Sequence, residues 1–379
     1  MNKKVLWSLL VIVVIVIIGV VIANANPSDN SPLRVGFVGP LTGGPALWGE
    51  GARNMVALAV EDINAEGGVD GRQLVIDYQD GKCNPKDGAF AMQAIKTQGI
   101  KFIVGGHCSP ETAAMVPLTK DGSAFIIAGI TSSDEAVSGS EFAYRTSPPN
   151  MEFAKALLKI AKPKFNRIAT ITEEAAFSRS YTDDFAKLYT EAGGVVVSAE
   201  AYAPETTDFR SQLLKIKQSN PEAVFISPQN PTTGALIAKQ MQELGMKLPV
   251  FGNSILVSAG TFASSENSPT LVGSFSIIPY TDFTSGEALE LSNKYQGKYG
   301  SPVPYNFFYV SASYDATMML AKAIDKCDED TTCVAEFFGK LSYKGVSADY
   351  TFKENGDSSF ASFASITIGS DGKAIIKPL

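Results

Sequence analysis

Histidine is almost missing from this chain: His107 is the single one among 379 residues. Hydrolysis by an activated serine or cysteine usually needs a histidine to move protons. His107 stands two residues before Ser109, too near along the chain to converge with it as a triad. No GxxxxGKS/T run is present to cradle phosphates, and the glycine-rich stretch 39–44 does not match GxGxxG. Cysteine is scarce too, with only Cys83, Cys108, Cys327 and Cys333, none of them in a CxxC pair. With one histidine to help, no spacing matches a structural zinc motif. Neither catalysis nor a metal nor a cofactor is expected. An even number of cysteines reads instead as two disulfides in an oxidising compartment.

Basic side chains are in the minority, 32 against 39 acidic. Two of them, Lys3 and Lys4, precede an uncharged run over 5–23 that nearly reaches across a hydrocarbon core. That arrangement predicts an export segment with its basic end in the cytoplasm. Ala23, Asn24 and Ala25 spell a cleavage site, so a cleaved signal and a retained anchor are both open. A lipid anchor is not expected, because no cysteine lies nearby. Residues 26–32 are polar with two prolines and read as a tether. Without the two lysines, 30 basic side chains face 39 acidic ones, a net charge of about −9, which makes nucleic acid an improbable partner.

Apolar residues make up 45% of the chain and charged ones 19%, ample for packed cores. A single core rarely grows past about 300 residues, so two lobes are expected. Strand and helix patterns alternate twice. The first series has strands over 33–38, 73–79, 100–104 and 124–128, with helices between them, one opened by Asn84–Pro85 and one by Ser109–Pro110. The second has strands over 167–171, 195–199, 223–227 and 248–251, with helices from 181, over 209–218 and over 233–244. Helices then follow over 288–299, 308–326 and 334–341, and β-rich sequence runs to the end, with a hairpin turn at Gly356–Asp357. Short apolar strands between helices imply two doubly wound parallel-sheet lobes of α/β class. The expected division puts 33–147 and 281–343 in the first lobe and 148–280 and 344–379 in the second. Three crossing segments then form a hinge over a cleft.

Ser109, after a buried strand and before Pro110, is expected to cap a helix whose N-terminus faces an anion. Thr131, just past the next strand, lies at the neighbouring carboxyl end, so the two hydroxyls converge on one small anion. Glu173 and Glu174 are adjacent and diverge, and so do not pair for acid and base work.

Residues 36–44, 59–71 (AVEDINAEGGVDG), 80–85 (DGKCNP), 105–109, 207–225 (TDFRSQLLKIKQSNPEAVF), 314–323 (YDATMMLAKA) and 343–356 carry a resemblance. They resemble the branched-chain amino-acid-binding family, the extracytoplasmic binding proteins of ABC importers, with the type I periplasmic binding fold. The resemblance covers nearly the whole chain after the tether. It implies a monomeric protein that closes on an amino acid or related carboxylate and delivers it to a membrane permease. It also implies a disulfide between Cys83 and Cys108, leaving Cys327 to pair with Cys333 across a short loop. By position, Ser109 and Thr131 match carboxylate-binding hydroxyls and Gly129 a carbonyl that meets the ligand's ammonium. Trp48 falls at an aromatic wall, and Phe177 where a tyrosine covers the ligand. Two positions depart from the pattern: Gln229 replaces a common aromatic, and Ser254 stands where an acidic partner for the ammonium is usual. Either Glu173 or Glu174 then replaces that charge, or the ligand has no ammonium. A ligand-sensing module is the alternative function, although no further domain is expected after residue 379 to transmit a signal.

Overall fold

The computed structural model describes residues 31–257, 268–303, 306–359 and 362–379. The export segment, with Lys3 and Lys4, and most of the tether lie outside these residues. Among the described residues no helix is long and apolar enough to cross a membrane.

The first lobe begins with β1 (Leu33–Gly39), α1 (Ala46–Ala65), β2 (Leu74–Asp80), α2 (Pro85–Thr97), β3 (Phe102–Gly105), α3 (Ser109–Met115), β4 (Phe125–Ala128) and β5 (Ala143–Arg145). Its strands pair in parallel in the order β2-β1-β3-β4-β5. All four residues of β3 and of β4 are buried, which is why both read as unbroken apolar runs. Helix α2 starts as expected. Asn84 accepts from the Asp87 backbone N–H, and Pro85 occupies the first turn where its missing donor costs nothing. The first turn of α1 presses against residue 40 so closely that a Cβ on Gly49 would lie 1.9 Å from the Pro40 carbonyl oxygen. Only glycine fits there.

After β5 the chain crosses at 146–149 and builds α4 (Asn150–Ala161), β6 (Arg167–Glu173), α5 (Ala176–Glu191), β7 (Val195–Tyr202), α6 (Arg210–Gln218), β8 (Ala223–Ser227), α7 (Pro231–Glu243), β9 (Val250–Gly252) and β10 (Phe275–Pro279). It returns to pack α8 (Gly286–Tyr299) on α1 through Leu291, Tyr295, Met55 and Leu58. Helices α9 (Phe307–Cys327) and α10 (Thr331–Gly339) follow, then the hairpin β11 (Ser342–Lys344) and β12 (Asp349–Thr351). The chain ends in β13 (Phe363–Ile368) and β14 (Ala374–Pro378).

Four differences from the sequence reading stand out. The third crossing falls after Ser358 rather than at 344, because Tyr350 is buried in the core of the first lobe beside Phe338 and Leu341. The second sheet, ordered β14-β13-β10-β9-β8-β6-β7, is mixed: β13 and β14 add to it antiparallel. Helix α5 starts at Ala176, five residues before the expected 181, and α4, β5 and β10 were not anticipated. Both expected disulfides are present, Cys83 to Cys108 and Cys327 to Cys333.

Each sheet is sandwiched. In the first lobe, Phe37, Phe102 and Phe125 meet α1, α9 and α10 on one face, and Val38, Ile103 and Ile126 meet α2 and the end of α3 on the other. In the second lobe, Phe225, Phe251 and Phe275 pack with α4 and α5, and Ile171, Val224 and Ile226 with α6 and α7. The N-terminal turn of α9 is exceptional, since Phe308, Tyr309 and Ala312 join the core beneath α5. A helix of the first lobe thus enters the second at the seam.

Candidate ligand site

The carboxyl ends of β3 and β4 deliver two loops to the seam. Cys108, in extended backbone, precedes α3 as its N-cap, and Ser109 is the first helical residue. The expectation that Ser109 caps this helix is therefore corrected. The Glu111 carboxyl folds back to accept from the backbone N–H groups of His107 at 2.6 Å, Cys108 at 3.0 Å and Cys83 at 3.2 Å. The Glu111 carboxylate thus takes up the N–H groups just ahead of α3. Burial pushes the Glu111 carboxyl up to about 7, with those three donors opposing.

Ser109 does something else. Its Oγ accepts from the Thr131 hydroxyl at 3.1 Å and from the backbone N–H groups of Ser132 at 3.2 Å and Ser133 at 3.0 Å. Those three donors are taken up by the Ser109 oxygen, which leaves its own O–H to donate onward. A carboxylate oxygen suits such a hydroxyl, because an O–H donated to an anion is a charge-assisted hydrogen bond.

This cluster edges a cavity of about 40 Å3, bounded by Trp48, His107, Cys108, Ser109, Ile130 and Ser132 from the first lobe, Phe177, Gln229, Ser254 and Ile255 from the second, and Tyr309 at the seam. Of the expected residues, Trp48, Ser109, Phe177, Gln229 and Ser254 come together here. Thr131 stands one layer back, hydrogen-bonded to Ser109. Gly129 does not line the cavity, and its carbonyl accepts from the Thr146 hydroxyl at 2.7 Å. Glu173 also lies outside. Its Oε2 accepts from the Gln229 N–H at 2.8 Å and faces the Tyr202 hydroxyl at 3.4 Å. Glu173 and Glu174 instead line a larger opening of about 710 Å3 that shares Gln229 as its wall. Burial, above all, raises the Glu173 carboxyl.

Tyr309 and His107 were missed as site residues. Tyr309 donates to the Ser254 hydroxyl at 3.2 Å, joining α9 to the loop after β9. The His107 Nδ1 lies 2.8 Å from the Val38 carbonyl, which can only accept, so Nδ1 carries the proton and Nε2 accepts from the Ser313 hydroxyl at 3.0 Å. Burial drives His107 down to about 4, so the ring is neutral at ordinary pH. On the far side, Gln229 Nε2 rests 3.6 Å from the Cys83 sulfur, while its Oε1 is buried without a partner. A Cβ on Gly44 would lie 2.6 Å from Asn230 Nδ2, so the lobes touch here as well.

Two α/β lobes joined by three crossings, with polar loops at strand ends closing on a small cavity, define a cleft-type binding protein. The comparisons with known proteins agree. The family described as periplasmic binding protein matches residues 32–368, and the chain belongs to that family. It is a family of solute-binding proteins, not of enzymes. The chain is 26% identical over 334 residues to the leucine-, isoleucine-, valine-, threonine- and alanine-binding protein of Pseudomonas aeruginosa, covering 86% of this chain and 87% of that protein. In fold it is similar to the branched-chain amino acid transporter substrate-binding protein LivJ of Streptococcus pneumoniae, solved with isoleucine. That likeness has a TM-score of 0.79 at 20% identity, covering 92% of this chain and all of that one. A solute-binding protein of an ABC transporter from R. palustris, solved with benzoate, also gives 0.79, at 18% identity over 92% of this chain and 96% of that one.

Proposed function

We propose that this protein captures a small carboxylate outside the cytoplasm, closes its lobes over it, and delivers it as a monomer to the membrane permease of an ABC importer. The observation that carries the reading is the Ser109 hydroxyl, its oxygen held by three donors, at the edge of a cavity whose walls come from both lobes. A ligand bound by both walls favours the closed arrangement by its differential affinity for it. Branched-chain amino acids and benzoate, named for the similar proteins, share the carboxylate and little else. In this reading residues 33–145 and 286–358 act as one lobe and 150–279 and 363–379 as the other. The apolar run over 5–23 serves export or anchoring.

A thermal-shift screen of small carboxylates, followed by X-ray scattering of the best binder, tests this. A carboxylate at 100 times its Kd raises stability by about 2.7 kcal/mol, and the radius of gyration should fall on binding. Stabilisation by amines or sugars alone, or an unchanged radius, defeats the proposal.

A further inference from the structure

We infer that the site prefers a small carboxylate whose second polar group is a neutral hydrogen-bond donor, a hydroxy acid, over the matching amino acid, and that Gln229 makes the distinction. The inference rests on the carboxylate reading of Ser109.

The residues around the cavity carry no formal charge. His107 is neutral, with both ring nitrogens engaged by Val38 and Ser313. Tyr309 keeps its proton, pushed up by burial, and spends it on Ser254. Trp48, Ile130, Phe177 and Ile255 supply an apolar body. An ammonium brought in here would lose its hydration with no opposite charge to replace it, which is costly in a desolvated site.

Glu173 does not repair this. Its carboxyl is committed to the backbone N–H groups of Gln229 and Asn230 beyond the strand end. Turning it into the cavity would strip both donors. Glu174 lines the outer opening rather than the cavity.

Among the residues that line the cavity, Gln229 brings an acceptor. Gln229 Nε2 is held against the Cys83 sulfur, which aims the amide, and Oε1 is left buried with no hydrogen bond. A buried carbonyl oxygen in that condition costs free energy until something donates to it. A hydroxyl on the ligand satisfies it without bringing a charge. The cavity of about 40 Å3 adds a limit of size, since one water needs roughly 10–15 Å3 measured this way. Small acids fit with the lobes in this contact, and bulkier ones hold them further apart.

Calorimetry on a matched set, 2-hydroxy-3-methylbutanoate, valine and 3-methylbutanoate, tests the inference with the wild-type chain and with Gln229→Leu and Gln229→Glu. The hydroxy acid should bind about 100-fold more tightly than valine, a difference of about 2.7 kcal/mol. Gln229→Leu should weaken the hydroxy acid about tenfold relative to 3-methylbutanoate, and Gln229→Glu should move the preference toward valine. Melting curves of both variants establish that they fold. Valine binding as well as the hydroxy acid, or a hydroxy-acid affinity indifferent to Gln229→Leu, overturns the inference while leaving the carboxylate site standing. If no member of the set binds, the carboxylate reading and this inference fall together.

Discussion

Arg145 and Asp357 form a buried ion pair, 2.6 Å between Nη2 and Oδ1, that ties the first crossing between the lobes to the third. Arg145 also donates to the carbonyls of Ser133 and Asp134, and Ser358 donates to that of Thr146. The same guanidinium therefore braces the hinge and the loop that carries the donor cluster. Asp357→Ala should destabilise the protein by about 3–5 kcal/mol, because it strands a buried charge. Arg145→Met combined with Asp357→Leu should cost clearly less than that single change. Urea unfolding of the three proteins decides, and a double variant as unstable as Asp357→Ala would show that the loop contacts, not the charge, dominate.

At the ligand site, Ser109→Ala removes the point on which Thr131, Ser132 and Ser133 converge. The cost should show in binding, about 1–3 kcal/mol or roughly 5- to 150-fold in Kd, and much less in melting temperature. Titration of the best carboxylate from the screen into wild type and variant gives the number. Equal affinities would place the carboxylate elsewhere.

Stability should decline as the solution becomes alkaline. Burial raises Asp184 to about 8, assisted by the hydrogen bond that its protonated carboxyl donates to Asp134 and by the charges of Asp134 and Asp183, with Lys187 opposing. Burial also raises Glu111 to about 7 and Asp315 to about 6. A carboxyl whose folded value lies above its unfolded one holds a proton in the native state that the unfolded chain gives up. Its contribution is complete below about pH 4 and is lost as pH climbs through the folded value. His107, lowered to about 4, works the other way, but only below its unfolded value near 6.5. The melting temperature should therefore fall between pH 6.5 and 9. Asp184→Asn, whose amide has no proton to lose and still donates to Asp134, should flatten the upper part of that fall. A profile that rises toward pH 9 would refute the assignment.

The two disulfides should differ in worth. Cys83–Cys108 spans 25 residues and Cys327–Cys333 spans 6. Chain entropy alone then gives about 3.5 kcal/mol for the first and about 2 kcal/mol for the second. Serine pairs at each site, compared by denaturant unfolding, test the order. The first pair should also weaken ligand binding, since Cys108 adjoins Ser109 and Cys83 touches Gln229. The second should leave it alone.

What was legible in the sequence follows from which signals are local. Asn84–Pro85 announces α2 because a cap and its proline are neighbours in the chain, and β3 and β4 declare themselves because burial on both faces leaves no polar position. Strand β5 hides its character in three residues, one of them the buried Arg145. Helix α4 had helical spacing in Phe153, Ala154, Leu157 and Ala161, a signal present but overlooked after two prolines. Trp48, Ser109, Phe177, Gln229 and Ser254, named by position, meet at one cavity. Tyr309 was taken into a helical pattern, and spacing reports the face of a helix, not which end enters another lobe. Glu173 was expected toward the cleft because it ends a strand. No local rule reveals that the next strand's loop turns its backbone N–H groups toward that carboxyl.

The placement of α9 and α10 has a consequence for how the molecule comes into being. Met319, Leu320, Val334 and Phe338 fill the core beneath β1, β3 and β4, yet they lie roughly 190 to 300 residues further along the chain. A polypeptide emerging from its N-terminus completes all five strands of the first sheet long before those side chains exist to cover one face. The second lobe, whose β6 to β10 are contiguous apart from the terminal hairpin, has its central strands earlier than the first lobe has its roof. Closing so long a loop is slow, so the last-made third of the chain sets the moment at which the first-made third becomes solid. Until then α1 alone lies against that face of the sheet, and a chain stopped at residue 300 would leave it half covered.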